Sequence, residues 1–172
     1  IWDHGENDSS LVRARQYGKL LPAFLTTVRE AWANPKLPVL LVQLRAARFG
    51  KFDDRCGAEL RDAQQVAATT ETTGLVVTVD LGPSPDERVI ARRLVAVARS
   101  VAYGHADVPH RGPTLVSAEP RGSEIVLTFD HADGLKPSKG ELRGFAVASS
   151  VYRWVWADTR IEGNRVVVSA PG

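Results

Sequence analysis

The stretch Pro38-Val39-Leu40-Leu41-Val42-Gln43-Leu44 decides how the rest of the chain is read. Val39 to Val42 is an unbroken apolar run of strand length. A strand with one wet face alternates polar and apolar residues. A continuous run suits a strand covered on both faces, as in a parallel sheet between helices. The flanking sequence supplies candidates for that cover.

Upstream, residues 11–33 place Tyr17, Leu20, Leu21, Phe24, Leu25, Val28 and Trp32 at spacings of three, four, seven and eight. That is one apolar stripe on a helix, opposite Arg13, Arg15, Lys19, Arg29 and Glu30. Trp32 lies on the stripe and is read as core. Pro22 removes a backbone donor inside the pattern and predicts a kink or a restart. Asn34-Pro35 ends the helix. Downstream, residues 45–57 form a basic, Gly-containing loop with Phe49 and Phe52 in it. Residues 58–69 read as a helix and Leu75 to Val79 as a second buried strand. Val89 to Tyr103 is a third helix, with Leu94, Val97, Ala98 and Val101 on its inner face. Helix, strand, helix, strand, helix is the order of a three-layer α/β fold.

After Gly104 the order changes. Residues 105–113 are a Pro/Gly-rich connector. Beyond it Thr114–Ala118, Glu124–Phe129, Phe145–Ala148, Trp154–Ile161 and Arg165–Ser169 are short and rich in Val, Ile and aromatics. Glu162-Gly163-Asn164 separates two of them as a hairpin loop. The expected organisation is an α/β domain over residues 1–111 and a smaller antiparallel β-rich domain over 112–172. Trp154 and Trp156 share one strand face; they are read as core, with a sugar-stacking platform as the alternative.

Composition narrows the function classes. An apolar fraction of 44% and a charged fraction of 24% are those of an ordinary globular protein. A formal charge of +2 is too small and dispersed to argue for nucleic acid or an anionic membrane. No apolar run is long enough to span a bilayer. The single cysteine, Cys56, excludes an internal disulfide and reads as a plain, partly buried residue. A chain that starts at Ile1 and has no Met or signal peptide is expected to be a mature, trimmed or truncated product.

Chemistry gathers in Trp2-Asp3-His4-Gly5-Glu6-Asn7-Asp8, followed at once by the first helical pattern. A Gly beside short polar side chains, where a strand hands over to a helix, can aim N–H donors at an anionic centre. A turn with a helix N-cap explains the same residues, and Ser9 and Ser10 read as such caps.

That block is similar to the Trp-Tyr-Gln-Gly-Glu-Ser-Asn block of the sialate O-acetylesterase family, carbohydrate esterases of the SGNH-hydrolase superfamily. Further segments resemble the family in the same order: YGKLLPAFLTTVREAW, LPVLLVQL, AELRDAQ, TGLVVTVDLG, IARRLVAVARSVAYG and the tail from GSEIVLTFDHADGL to WADTRIEGNRVVVSAP. The resemblance implies part of a three-layer SGNH-type parallel-sheet domain and serine acyl transfer on an acetylated carbohydrate. No cofactor and no metal are implied. The family is often secreted or periplasmic.

By resemblance, the Gly5 backbone or Asn7 serves the oxyanion hole, and Glu6 is a polar organiser. Asp86 answers to the aspartate of the family's Asp-x-x-His. His4 stands where the family has Gln and is the candidate substitute base. Val89 falls where the imidazole belongs, and valine accepts no proton. The family's Gly-Gln-Ser-Asn serine block has no counterpart in these 172 residues. Little or no turnover is therefore expected of this chain by itself, and a degenerate, non-catalytic relative kept for carbohydrate binding or structure is the alternative. His105, His110 and His131 read as loop residues, and Asp130, His131 and Asp133 as a weak metal signal. The sheet lacks the strands expected before Trp2, so its open edge predicts self-association or docking to another chain.

Overall fold

The computed structural model describes residues 1–8, 10–46, 55–70, 72–137, 140–148 and 153–171. Expectations for Ser9 and for the loop carrying Phe49 and Phe52 lie outside them. The chain divides into two compact units, Ile1–His110 and Arg111–Gly172.

In the first unit, β1 (Val39–Val42) pairs in parallel with β2 (Thr73–Val76), Leu41 standing opposite Leu75. Trp2 adds a parallel bridge to Leu41 on the other side, with Trp2 N–H on the Leu40 carbonyl and Val42 N–H on the Trp2 carbonyl. All four β1 residues are buried. The alternating side chains explain why: Val39 and Leu41 join one apolar cluster, and Leu40 and Val42 join another. The first cluster takes Tyr17, Leu21 and Leu25 from α1 (Leu11–Ala31) and Cys56 and Leu60 from α2 (Arg55–Ala67). The second takes Ile90 and Val97 from α3 (Glu87–Val101).

Several boundaries depart from the sequence reading. Helix α1 runs through Pro22 without a break. Pro22 and Gly18 are both exposed, so water can take up the carbonyl that the missing N–H leaves free. The buried stripe of α1 is narrower than expected: Ala14, Tyr17, Leu21 and Leu25. Leu20 is exposed, and Trp32, expected in the core, is 68% exposed because it forms the C-cap beyond the last turn. β2 starts two residues before the expected Leu75 and ends at Val76, with Val79 in a following 3₁₀ turn, Val79–Leu81. Gly74 sits inside β2 because α3 presses on it. A Cβ there would collide with Val97 Cγ1 and lie 3.1 Å from Leu40 Cδ2.

The second unit is antiparallel. β3 (Thr114–Arg121), β4 (Glu124–Asp130), β7 (Asp158–Glu162) and β8 (Arg165–Ser169) form a sheet in the order β3-β4-β8-β7. β5 (Ala146–Ala148) and β6 (Trp154–Trp156) form a separate two-stranded ribbon. The expected single strand Trp154–Ile161 is therefore two, parted at Ala157, whose N–H bonds the Phe145 carbonyl. The predicted hairpin stands: Glu162 pairs with Arg165 across a two-residue loop. Trp154 and Trp156, read as core, are 56% and 75% exposed. Their cross-strand partners are Ala148 and Ala146, too small to cover an indole.

Candidate active site

The carboxyl edge of the parallel strands carries the turn Gly5-Glu6-Asn7-Asp8. Gly5 is buried at φ 147°, a conformation that disfavours any side chain. Glu6–Asp8 is a single 3₁₀ turn, closed by Asp8 N–H on the Gly5 carbonyl at 3.0 Å. Ser10 then caps α1, its hydroxyl accepting from Arg13 N–H at 3.4 Å. Asn7 is exposed, and its main-chain carbonyl receives Arg13 Nη1 at 3.1 Å.

Two buried polar side chains hold this turn in place, and neither was singled out from the sequence as a polar contact. Tyr17 of α1 accepts the indole N–H of Trp2 at 3.2 Å and donates to the His4 carbonyl at 3.1 Å. Burial raises the Tyr17 hydroxyl above its ordinary pKa. Gln64 of α2, fully buried, donates to the same His4 carbonyl at 3.2 Å and to the Val42 carbonyl at 3.4 Å. Its Oε1 accepts Leu44 N–H at 2.8 Å. One carboxamide thus ties the end of β1 to the start of the turn. A Gln at an inward position of an otherwise amphipathic helix is the signal that marks it.

The His4 ring is exposed and rests on Trp2, ring centroids 4.9 Å apart. Asp3 is held above the usual carboxylate range by partial desolvation first and then by Glu6 and Glu87, against the pull of Arg45 and His4. Arg45 also meets Glu87 at 3.6 Å. Through Arg45 the start of α3 is therefore electrostatically linked to the turn.

Asp86 is the N-cap of α3: its Oδ1 accepts Arg88 N–H at 2.9 Å. Val89 lies in the first helical turn and is half-buried. An imidazole does meet a hydroxyl elsewhere, His110 Nε2 standing 3.5 Å from Ser100 Oγ. Ser100 is near the far end of α3, about 20 Å along the helix from Asp86, so this pair has no part in the Gly5 turn. His131 follows β4 at φ 52°. Among the described residues no group of three His, Cys, Asp or Glu side chains is placed to hold a metal ion, and no helix is long and apolar enough to cross a membrane.

The backbone as a whole is similar to a crystal structure of a carbohydrate acetylesterase from Xanthomonas citri, with a TM-score of 0.84 and 29% sequence identity. The match covers 99% of this chain and 41% of that one, so the chain spans less than half the length of its structural relative. No curated protein matches the sequence. Residues 1–94, more than half of the chain, match the family described as carbohydrate esterase, sialic acid-specific acetylesterase. The chain belongs to this family of carbohydrate esterases.

Proposed function

We propose that these 172 residues supply the carboxyl-terminal part of a carbohydrate O-acetylesterase, with residues 1–111 as part of a three-layer SGNH-type domain and 112–172 as a β-rich domain. The reaction is serine acyl transfer on an acetylated sugar. A serine attacks the acetyl carbonyl, and the tetrahedral oxyanion is held by the Gly5 backbone or the Asn7 side chain while Glu6 organises the turn. Asp86 takes the place of the aspartate that orients the base. The serine and the histidine come from residues outside these 172, with His4 as the substitute base inside them.

The observation that supports this reading is the Gly5 turn itself. It sits at the carboxyl end of buried parallel strands, where α/β proteins bind ligands, and two buried side chains fix its geometry. One observation favours the alternative of a non-catalytic relative: Asp86 is engaged as a helix cap and the residue three positions on is Val89. The open strand edge beside Ile1–Asp3 is proposed to dock to further chain or to a second copy.

Hydrolysis of p-nitrophenyl acetate tests the proposal. The complete polypeptide is expected to turn over, and Asn7→Ala within it to lose about 100-fold or more in kcat, as for a lost oxyanion donor. The 172-residue chain alone is expected to match the buffer rate; an enzyme-like rate would place the serine and base inside it. A complete polypeptide without activity, gaining it when Val89→His is introduced, would support the non-catalytic relative.

A further inference from the structure

The β5–β6 ribbon exposes Trp154, Val155 and Trp156 in succession. The two indoles project from one face, about 6.7 Å apart along the strand. Opposite them stand Ala148 and Ala146, so among the described residues no side chain across the ribbon is large enough to cover either ring. Beside Trp156 the second unit has a cavity of about 600 Å³, within the range of small-molecule sites. Its wall includes Glu141, Arg143, Phe145, Trp156, Asp158 and Thr159.

The chemistry of this wall is mixed in a specific way. Phe145 and Trp156 supply apolar area. Glu141 and Arg143 are 3.5 Å apart and each 84% exposed, so both keep hydrogen-bonding capacity beyond their mutual contact. Asp158 is exposed as well. The Thr159 hydroxyl is already committed, donating to the Leu142 carbonyl at 2.9 Å, and so it ties together two of the segments that line the cavity. A partner matching this surface has an apolar face for the indole and adjacent hydroxyls at its edge. The hydroxyls would donate to the carboxylates and accept from the guanidinium. An apolar protein face would bury these charges without partners, at a cost.

We propose that Trp156, with Glu141, Arg143 and Asp158 around it, is a binding site for a neutral glycan chain, with Trp154 extending the platform to a neighbouring sugar residue. The site is built from residues of the second unit alone and holds the polysaccharide rather than the ester. It rests on the shown membership of a carbohydrate esterase family and not on the assignment of the oxyanion hole.

The test is intrinsic tryptophan fluorescence and calorimetric titration of the 172-residue chain with cellohexaose, xylohexaose, mannohexaose and sialyllactose. At least one neutral hexaose is expected to bind and to perturb the fluorescence, with sialyllactose weaker. Trp156→Ala is expected to weaken binding by at least tenfold, and Trp156→Phe to keep most of it. In the complete polypeptide, p-nitrophenyl acetate hydrolysis is expected to be unchanged by Trp156→Ala, which separates this site from the ester-cleaving one. Absence of binding by any of the four glycans would overturn the proposal. So would equal binding by wild type and Trp156→Ala. Sedimentation showing that Trp156→Ala abolishes self-association while glycan affinity stays the same would assign the surface to a protein contact instead.

Discussion

Gln64 and His4, sixty residues apart in sequence, are joined by a hydrogen bond from the buried carboxamide to the main-chain carbonyl at 3.2 Å. The same carboxamide serves Val42 and Leu44. The candidate oxyanion turn is thus fixed to the strand edge by a side chain of α2. A donor aimed at a transition state works because its position is set before the reaction starts.

Gln64→Leu tests that linkage. The substitution keeps the apolar volume but takes this partner from Leu44 N–H and the Val42 carbonyl in a buried place, and leaves the His4 carbonyl with the Tyr17 hydroxyl alone. The expected loss is about 3 kcal/mol, read from urea unfolding followed by far-UV circular dichroism. An unchanged midpoint would mean that the main chain finds other partners.

Gly74→Ala tests the fit of α3 against the strand pair. The added methyl meets Val97, Leu40 and Val101 together. Overpacking of this kind is expected to cost about 2 kcal/mol. The double variant with Val97→Ala is expected to recover part of the loss, because the nearest colliding atom is gone. Additive losses in the double variant would show that the collision is relieved elsewhere.

The charged face of the second unit sets an acid limit. Arg160 and then Arg121 hydrogen-bond the Glu124 carboxylate and lower it from an ordinary value of 4.5 to about 2. Arg121 and Arg160 also hold Glu162 below its usual range. A carboxyl depressed on folding contributes stability that is present above its unfolded value and lost as pH falls through its folded one. The thermal midpoint of this unit is expected to fall between pH 4.5 and 2. Glu124→Gln is expected to flatten that part of the profile. Raised salt should weaken the effect, since the pairs are solvent-exposed.

Asp3 runs the other way. Its carboxyl is raised above 3.8 by desolvation and by the neighbouring Glu6 and Glu87. The stability associated with its protonated form is present at acid pH and lost as pH rises through the raised value. Asp3→Asn, which cannot ionise, is expected to have a slightly higher melting temperature than wild type at pH 7 and the same one near pH 3. A lower melting temperature at pH 7 would mean that Arg45 outweighs the burial.

Much of the first unit was legible in the sequence. Four consecutive apolar residues foretold β1 covered on both faces, and the spacing in α3 picked out Val97 among its inward residues. The order of elements and the Gly5-Glu6 block were enough to identify the family. Helix boundaries were less legible. Asp86, named as a candidate catalytic aspartate, is also an N-cap, because a short carboxylate before a helix satisfies a free N–H whatever else it does. Trp32, Trp154 and Trp156 failed as core residues, since an apolar residue is buried only where another element is placed to meet it.

Local physics acting along the chain was therefore written in the residue pattern: which stretches are strands or helices, in what order they come, and which family they resemble. The tertiary structure decided which of those residues are buried and which polar groups meet. Tyr17 and Gln64 became the supports of the Gly5 turn, and Trp156 became an open surface beside a cavity. Such pairings depend on atoms brought together from distant parts of the chain, and no local spacing encodes them.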